Sequence, residues 1–321
     1  MNHILNRHSK LFLGIKKSYS SGKNAMIFAR NFLKKNPKND YSLIKESLLL
    51  TYDLQAGSYV SIAKKDKIYH KSWCMQLAGL INPIFPDRGS ILEVGTGEAT
   101  TLSGVLKILG NKVTEAFGFD ISLSRLIEGQ KYLKENRQQA KLFVADLTNI
   151  PLPDNSVDIV FSSHSLESNR GLEKIMISEC IRVARKGLIL VEPIHELASK
   201  KAKIRMNYHN YVRGLYKTAK SLGLEVLDYR LLELTRTKLN PSGVLVIKKK
   251  INKSNSKTCR ETLLKKKCLW TCPIMGKRLV KVKENFLTSG LRIIYPVILG
   301  IPLLRKEHHV IFNYINKNKA K

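Results

Sequence analysis

Acidic residues are scarce in this chain: 25 Asp and Glu stand against 56 Lys and Arg over 321 residues, a formal net charge of +31. Long apolar runs are missing too. No segment reaches the ~18–20 residues a membrane helix needs, and the nearest, 293–304, holds Pro296, Gly300 and Pro302. Cysteine supplies no framework. Cys74, Cys180, Cys259, Cys268 and Cys272 are odd in number and irregularly spaced, which reads as free thiols in a reducing compartment. No internal repeat is visible. What remains is a chain with 43% hydrophobic residues, too apolar to be disordered and long enough for one core and a small extra module.

The shortage of acids is local. Residues 1–89 hold 15 basic and 5 acidic side chains, 201–246 hold 9 and 3, and 247–321 hold 19 and 3, whereas 90–200 hold 13 and 14. The flanks therefore suit a weak contact with a polyanion such as RNA or anionic lipid. A blander reading is a Lys-rich background, since many lysines stand beside Asn in low-complexity runs, without the aromatic interleaving that stacks bases.

The near-neutral segment carries the chemistry. ILEVGTGEAT (91–100) is an apolar strand ending in an acid, then a glycine turn, then a helix over 101–109. Gly95 and Gly97 let the backbone turn sharply and approach a ligand. A dinucleotide site asks for a third glycine at position 100, which is Thr100 here, and Glu93 would repel a pyrophosphate. A carboxylate at that strand end suits the sulfonium and ammonium of S-adenosylmethionine. AFGFD (116–120) puts Asp120 at the next strand end, where one carboxylate can accept from both hydroxyls of a ribose. LFVADL (142–147) repeats the pattern, with Asp146 able to accept from an adenine amino group.

EVGTGEAT (93–100), GFDIS (118–122), ADLTNIPLPDNSVDIVFSSHSLE (145–167) and RVARKGLILVEP (182–193) together resemble class I S-adenosylmethionine-dependent methyltransferases of the ubiquinone/menaquinone-type small-molecule branch, over about 50–250. The resemblance implies an α/β fold: a Rossmann-like, doubly wound, seven-stranded, mostly parallel sheet with an antiparallel closing hairpin. It implies that Glu93, Gly95 and Gly97 face the methionine part, Asp120 binds the ribose, Ile121 packs on the adenine, Asp146 and Leu147 hold the adenine edge, and Ser163 lies beneath the sulfonium side. The family often has a third glycine where Ala99 stands. YDLQAGSY (52–59) is similar to the family's segment over the cofactor mouth, so Tyr59 is expected to touch cofactor or substrate.

The organisation expected is a basic leader over 1–39, free of acids and able to stay disordered apart from a helix at 25–33; a helical lead-in over 40–88; the cofactor core over 89–250; a linker over 251–261; a small α+β or β-rich module over 262–311; and a basic tail over 312–321. Within the lead-in, 69–82 reads as an amphipathic helix with Trp73, Met75, Leu77 and Leu80 inward, and 208–222 reads as one helix before the closing hairpin. The leader is compatible with a cytoplasmic protein or with transit to the mitochondrial matrix. CPIMGKRL (272–279) followed by YPVILGIPLL (295–304) resembles the small zinc-ribbon-like proteins that activate tRNA, rRNA and release-factor methyltransferases. Met275 stands where that pattern has its second cysteine, so no metal is expected there.

For the methyl acceptor, SSHSLE (162–167) replaces the N/D-P-P-Y/F loop of adenine methyltransferases and offers no cysteine nucleophile. His164 is the group best placed as a general base near neutral pH, with His195 and Glu192 after the fifth strand as weaker candidates. The expected acceptor is a small molecule or a metabolite-like glycan or lipid precursor. An RNA methyltransferase and a non-catalytic assembly factor that keeps the fold are the alternatives.

Overall fold

The computed structural model describes residues 2–23, 25–34, 41–249, 269–283, 286–288 and 292–311. The linker expected over 251–261, the tail over 312–321, and Cys259 and Cys268 fall outside them. Among the described residues no helix is long and apolar enough to cross a membrane.

Seven strands build the central sheet: β1 (Gly89–Val94), β2 (Val113–Asp120), β3 (Lys141–Val144), β4 (Val157–Ser163), β5 (Ala184–Pro193), β6 (Glu225–Leu231) and β7 (Ser242–Lys248). Their order is β3-β2-β1-β4-β5-β7-β6. Strands β1 to β5 run parallel, and β7 enters antiparallel between β5 and β6. The expected mostly parallel sheet with its closing hairpin is what forms. β1 is buried along its whole length, and so is β4 except at Ser163, as the unbroken apolar runs require of strands covered on both faces. The chain leaves β1 and returns beside it through β2, while β4 lies on β1's other side. This switch point opens the crevice at the strands' carboxyl ends where ligands bind.

One face is covered by helices α5 (Lys67–Ile81), α6 (Thr100–Leu109) and α7 (Leu123–Glu135), with α3 (Tyr41–Leu54) and α4 (Ser58–Lys65) ahead of them. α5 differs from its expected face. Trp73, Cys74, Leu77, Ala78 and Ile81 are buried, while Met75 is 54% exposed. Residues two apart on a helix do not share a face, so Trp73 inside puts Met75 outside. The single helix expected over 208–222 is two, α9 (Lys200–Tyr208) and α10 (Leu215–Ser221). Asn210 and Gly214 take left-handed conformations between them, which no right-handed helix accommodates.

The basic leader differs from expectation as well. Its described residues are α1 (Asn2–Ser20) and α2 (Ala25–Lys34), and Leu11, Ile15, Ala25 and Ala29 bury against Leu43 of α3. Those apolar residues recur at helical spacing between the lysines, so a face can be buried that the charge count alone conceals.

The other face is covered by α8 (Glu173–Val183), α10 and the C-terminal module. The crossover from β3 to β4, 145–156, contains no helix. Arg182 of α8 ties it down instead, donating to the carbonyls of Ile150 and Leu152 at 2.8 Å each and pairing with Asp154 at 2.8 Å. The vacant place on the sheet goes to the module, which is β-rich: β8 (Val280–Lys283), β9 (Phe286–Thr288), β10 (Ile293–Ile298), β11 (Ile301–Pro302) and β12 (Val310–Ile311). Trp270 packs on Phe143 at 4.5 Å between ring centroids and meets Phe117 edge-on at 6.2 Å. Leu303 bridges Val144 in parallel, and Leu304 N–H donates to the Val144 carbonyl at 2.8 Å, so the module also occupies the open edge of β3. Trp270, Tyr295 and Leu304 belong to the same buried cluster as Phe117 and Phe143. Cys272 is buried against the Tyr295 hydroxyl, 3.4 Å from its Sγ.

Because this core is shared, Trp270→Ala is expected to destabilise the whole chain by about 3–5 kcal/mol, the usual cost of emptying a buried tryptophan site. Urea unfolding of the full chain measures it, and a loss below about 1 kcal/mol would show that the module adds nothing to the sheet's cover.

Candidate functional site

The glycine turn forms because β1 must reverse into α6 within five residues, 95–99. Gly95 and Gly97 have φ of 63° and 54°. A Cβ on Gly95 would lie 2.2 Å from the Ser165 Cβ, so this glycine also admits the loop after β4. Ala99, at the place of the absent third glycine, is itself left-handed at φ 52° and ψ 23°, a conformation that costs an L-residue about 1–2 kcal/mol.

A cavity of about 700 Å³ opens over this turn, within the size range of small-molecule sites. Glu93, Gly95, Gly97, Asp120, Ile121, Asp146, Leu147, Ser163, His164 and Tyr59 all line it. His195 does not line it. Its Nε2 pairs with Asn207 Oδ1 at 3.0 Å, an exposed contact. Glu192 is fully buried, accepting from the backbone N–H groups of Ser165 and Leu166 at 3.0 and 3.2 Å. It shapes the His164 loop from below.

The three acids differ in what they have left to offer. Asp120 accepts from Gly97 N–H at 3.0 Å on Oδ2 and from Ser122 N–H at 2.9 Å on Oδ1, with the Ile121 N–H beside it as well, so of its roughly four lone pairs one remains for a further donor. Burial raises its pKa against those hydrogen bonds and the nearby Arg125. Asp146 is more committed. Its Oδ1 accepts from the N–H and hydroxyl of Thr148 at 2.9 and 2.8 Å, and its Oδ2 pairs with Lys45. Burial pushes this carboxyl up, but Lys45 and Thr148 together hold it below the usual range. Glu93 accepts from the Thr96 hydroxyl at 2.5 Å. Complete burial drives its pKa up to about 8, with Asp120 adding to the rise and the bonds from Thr96 and Leu102 opposing it.

At the cavity's other end the His164 backbone is left-handed, φ 56°, held by its N–H to the Val191 carbonyl at 2.9 Å. The ring's Nδ1 lies 3.2 Å from Glu167 Oε2 and its Nε2 lies 2.7 Å from Ser242 Oγ. Burial disfavours the imidazolium, yet Glu167 and then Glu192 outweigh it, so the pKa is raised. Trp73 stands beside it with ring centroids 5.8 Å apart and donates its indole N–H to Ser163 Oγ at 3.3 Å.

Residues missed in the sequence organise this site. Arg125 of α7 is buried, donating to the Tyr52 carbonyl at 3.1 Å and to Gln55 Oε1 at 3.2 Å. Its guanidinium lies over the rings of Tyr59 at 4.4 Å and Tyr52 at 5.0 Å. Buried Glu98 accepts the Val60 N–H of α4 at 2.7 Å, and Ser122 donates to Asp53. These ties hold 52–60 over the glycine turn. The only local signal was an arginine inside the apolar stripe of α7 that includes Leu126 and Leu133.

Residues 91–187 match the sequence model of a family described as a methyltransferase domain. Among solved structures, the chain is similar to magnesium protoporphyrin IX methyltransferase from Synechocystis PCC 6803 with bound SAH: 16% identity over 59% of this chain and 87% of that one, TM-score 0.46. It is also similar to a chain from a complex of the Haloferax volcanii Trm112 methyltransferase activator, at 13% identity over 60% and 94% of the two chains, TM-score 0.47. A third is geranyl diphosphate C-methyltransferase from Streptomyces coelicolor A3(2), at 11% identity over 54% and 79%, TM-score 0.43. No curated protein matches the chain.

The buried proton on Glu93 has a consequence for stability. The unfolded chain ionises Glu93 near 4.5, while the fold holds the proton to about 8. Without ligand, stability from this group is therefore full below about pH 4.5 and is lost as pH rises to about 8. Glu192, raised by burial to about 7, acts in the same direction. Glu93→Gln is expected to flatten the decline in urea midpoint across this window, and an unaltered slope would refute the buried proton.

Proposed function

Starting from a methyltransferase domain at 91–187 whose cofactor is S-adenosylmethionine, we propose that this chain transfers the methyl group to a small molecule seated beside the Trp73–His164 pair. The observation that carries this reading is the continuity of one cavity from the acids at the strand ends to the Trp73–His164 pair. When bound, the cofactor supplies a methyl group made electrophilic by its positively charged sulfur.

The residues fit that group. Asp120, with three backbone N–H groups around it, keeps acceptor capacity for a ribose hydroxyl. Leu147 and Ile121 offer the apolar surface for the adenine. Asp146 has one lone pair left on Oδ2 for the adenine amino group. Glu93 becomes ionised beside the cationic methionine end, so its proton leaves on binding. Tyr59, half-exposed and stacked on Arg125, closes over Gly97, where a Cβ would meet its ring at 3.6 Å. This assigns the 52–59 segment to retaining cofactor.

At the acceptor end, the proton lost on methylation passes through the Ser242 hydroxyl to His164 Nε2, with Glu167 stabilising the imidazolium from Nδ1. Alignment of acceptor, methyl and sulfur supplies the larger share of the rate. A small acceptor suits this geometry better than RNA, because Trp73 is buried and the His164 ring lies mostly below the surface. The basic flanks remain available for a weak polyanion contact.

Asp120→Ala is expected to weaken S-adenosylmethionine binding about ten- to a hundredfold, from the loss of hydrogen bonds to a charged acceptor. Calorimetry reads the affinity and circular dichroism checks that the fold is kept. Equal affinity in the variant would overturn the ribose assignment. Label from methyl-labelled cofactor should enter the small-molecule fraction of a cell extract; label confined to RNA would overturn the acceptor class.

A further inference from the structure

The cofactor end of the cavity carries Glu93, Asp120 and Asp146, with Lys45 and Arg125 beside them. Around the chamber holding Trp73 and His164 stand Arg170, Arg205 and Arg236, brought there by three separate segments: the loop after β4, helix α9, and the connection from β6 to β7. The carboxylates on that side are Asp66 and Glu167, and Glu167 is engaged by His164.

Arg205 is not satisfied as Arg182 and Arg125 are. Arg182 and Arg125 each make several hydrogen bonds to carboxylates or carbonyls. By contrast, Nη1 of Arg205 is buried and has no hydrogen-bond partner among the described residues. Its guanidinium faces the Tyr211 ring at 5.9 Å. Exposed Arg170 donates, among the described residues, to Asn210 Oδ1 at 3.1 Å. Arg236 lies over the Tyr69 ring at 5.0 Å, and its nearest carboxylate, Asp66, is 3.8 Å away. Among the described residues, Arg170 and Arg205 have no carboxylate within ion-pair distance. A buried guanidinium N–H left unpaired is costly, and a planar fork of donors is best satisfied by the paired oxygens of a carboxylate or phosphate.

We propose that the methyl acceptor is an organic oxyanion, a carboxylate or phosphate ester, whose charged group sits on Arg205 with Arg170 and Arg236 beside it. The inference rests on the methyltransferase reading of the same cavity. The aromatic walls, Tyr69 and Trp73, suit an acceptor with a flat apolar body. A nucleic-acid backbone is disfavoured, since it tracks exposed basic grooves and Arg205 Nη1 is buried.

The test uses the full chain saturated with S-adenosylhomocysteine, whose binding is measured first. Benzoate, phenyl phosphate and neutral benzyl alcohol are then titrated by ligand-detected NMR, with a short single-stranded RNA as a separate arm. Binding of either aromatic anion, preferred over benzyl alcohol and weakened about tenfold or more in both Arg205→Gln and Arg236→Gln, is the expected result; which anion binds separates carboxylate from phosphate. Arg236→Gln, at a more exposed position, keeps the test valid if Arg205→Gln fails to fold. Benzyl alcohol binding as tightly as the anions, no anion binding, unchanged anion affinity in both variants, or binding of RNA alone would each overturn the proposal. Failure of S-adenosylhomocysteine itself to bind would instead overturn the functional reading on which it stands.

Discussion

A parallel sheet must be covered on both faces, and that requirement governs how the rest of this molecule is assembled. Helices α5, α6 and α7 close one face. On the other, the helix-free crossover at 145–156 leaves Phe117 and Phe143 short of cover, and Trp270 supplies it from more than a hundred residues away in sequence. The C-terminal module therefore has no core of its own to defend. Its buried tryptophan, tyrosine and leucines extend the core of the sheet, and its Leu303–Leu304 segment satisfies the edge of β3 that would otherwise stand open.

The same economy holds at the ligand end. Buried charge is tolerated there because each group is either paired or kept neutral. Lys45 sits between Asp146 of the core and Glu307 of the module, 3.5 Å from the latter. Arg125 is wrapped by the carbonyl of Tyr52, the amide of Gln55 and two tyrosine rings. Burial makes Glu93 hold its proton well above the usual carboxylate range. Arg205 breaks this rule with its buried, unpartnered Nη1, and for that reason it carries information about what the cavity receives.

How much of this was legible in the sequence depended on range. The glycine turn, the acids ending β1 and β2, and the order of strands and helices were legible because strand, turn and helix signals are local. All the core residues expected around the cofactor line one cavity, since strand carboxyl ends converge there whatever the loops do. His195 did not follow, because the chain after β5 turns into a short helical segment that carries it toward Asn207. Met75 failed because composition does not distinguish two apolar residues competing for one helix face. The helical leader was masked by its lysines, and the break at Asn210 was masked by the apolar residues on either side of it. Arg125, Lys45 and Trp270 find partners roughly 70 to 260 residues away, and nothing next to them in sequence announces those partners.

The lateness of Trp270 bears on how the chain reaches its native state. During synthesis, β1 to β5 leave the ribosome well before the residues that cap their second face. A nascent sheet with Phe117 and Phe143 uncovered and the β3 edge unpaired is a sticky intermediate. Chains cut short before residue 269 would accumulate in that form, so a nonsense mutation ahead of it should yield inclusion bodies and not a trimmed enzyme.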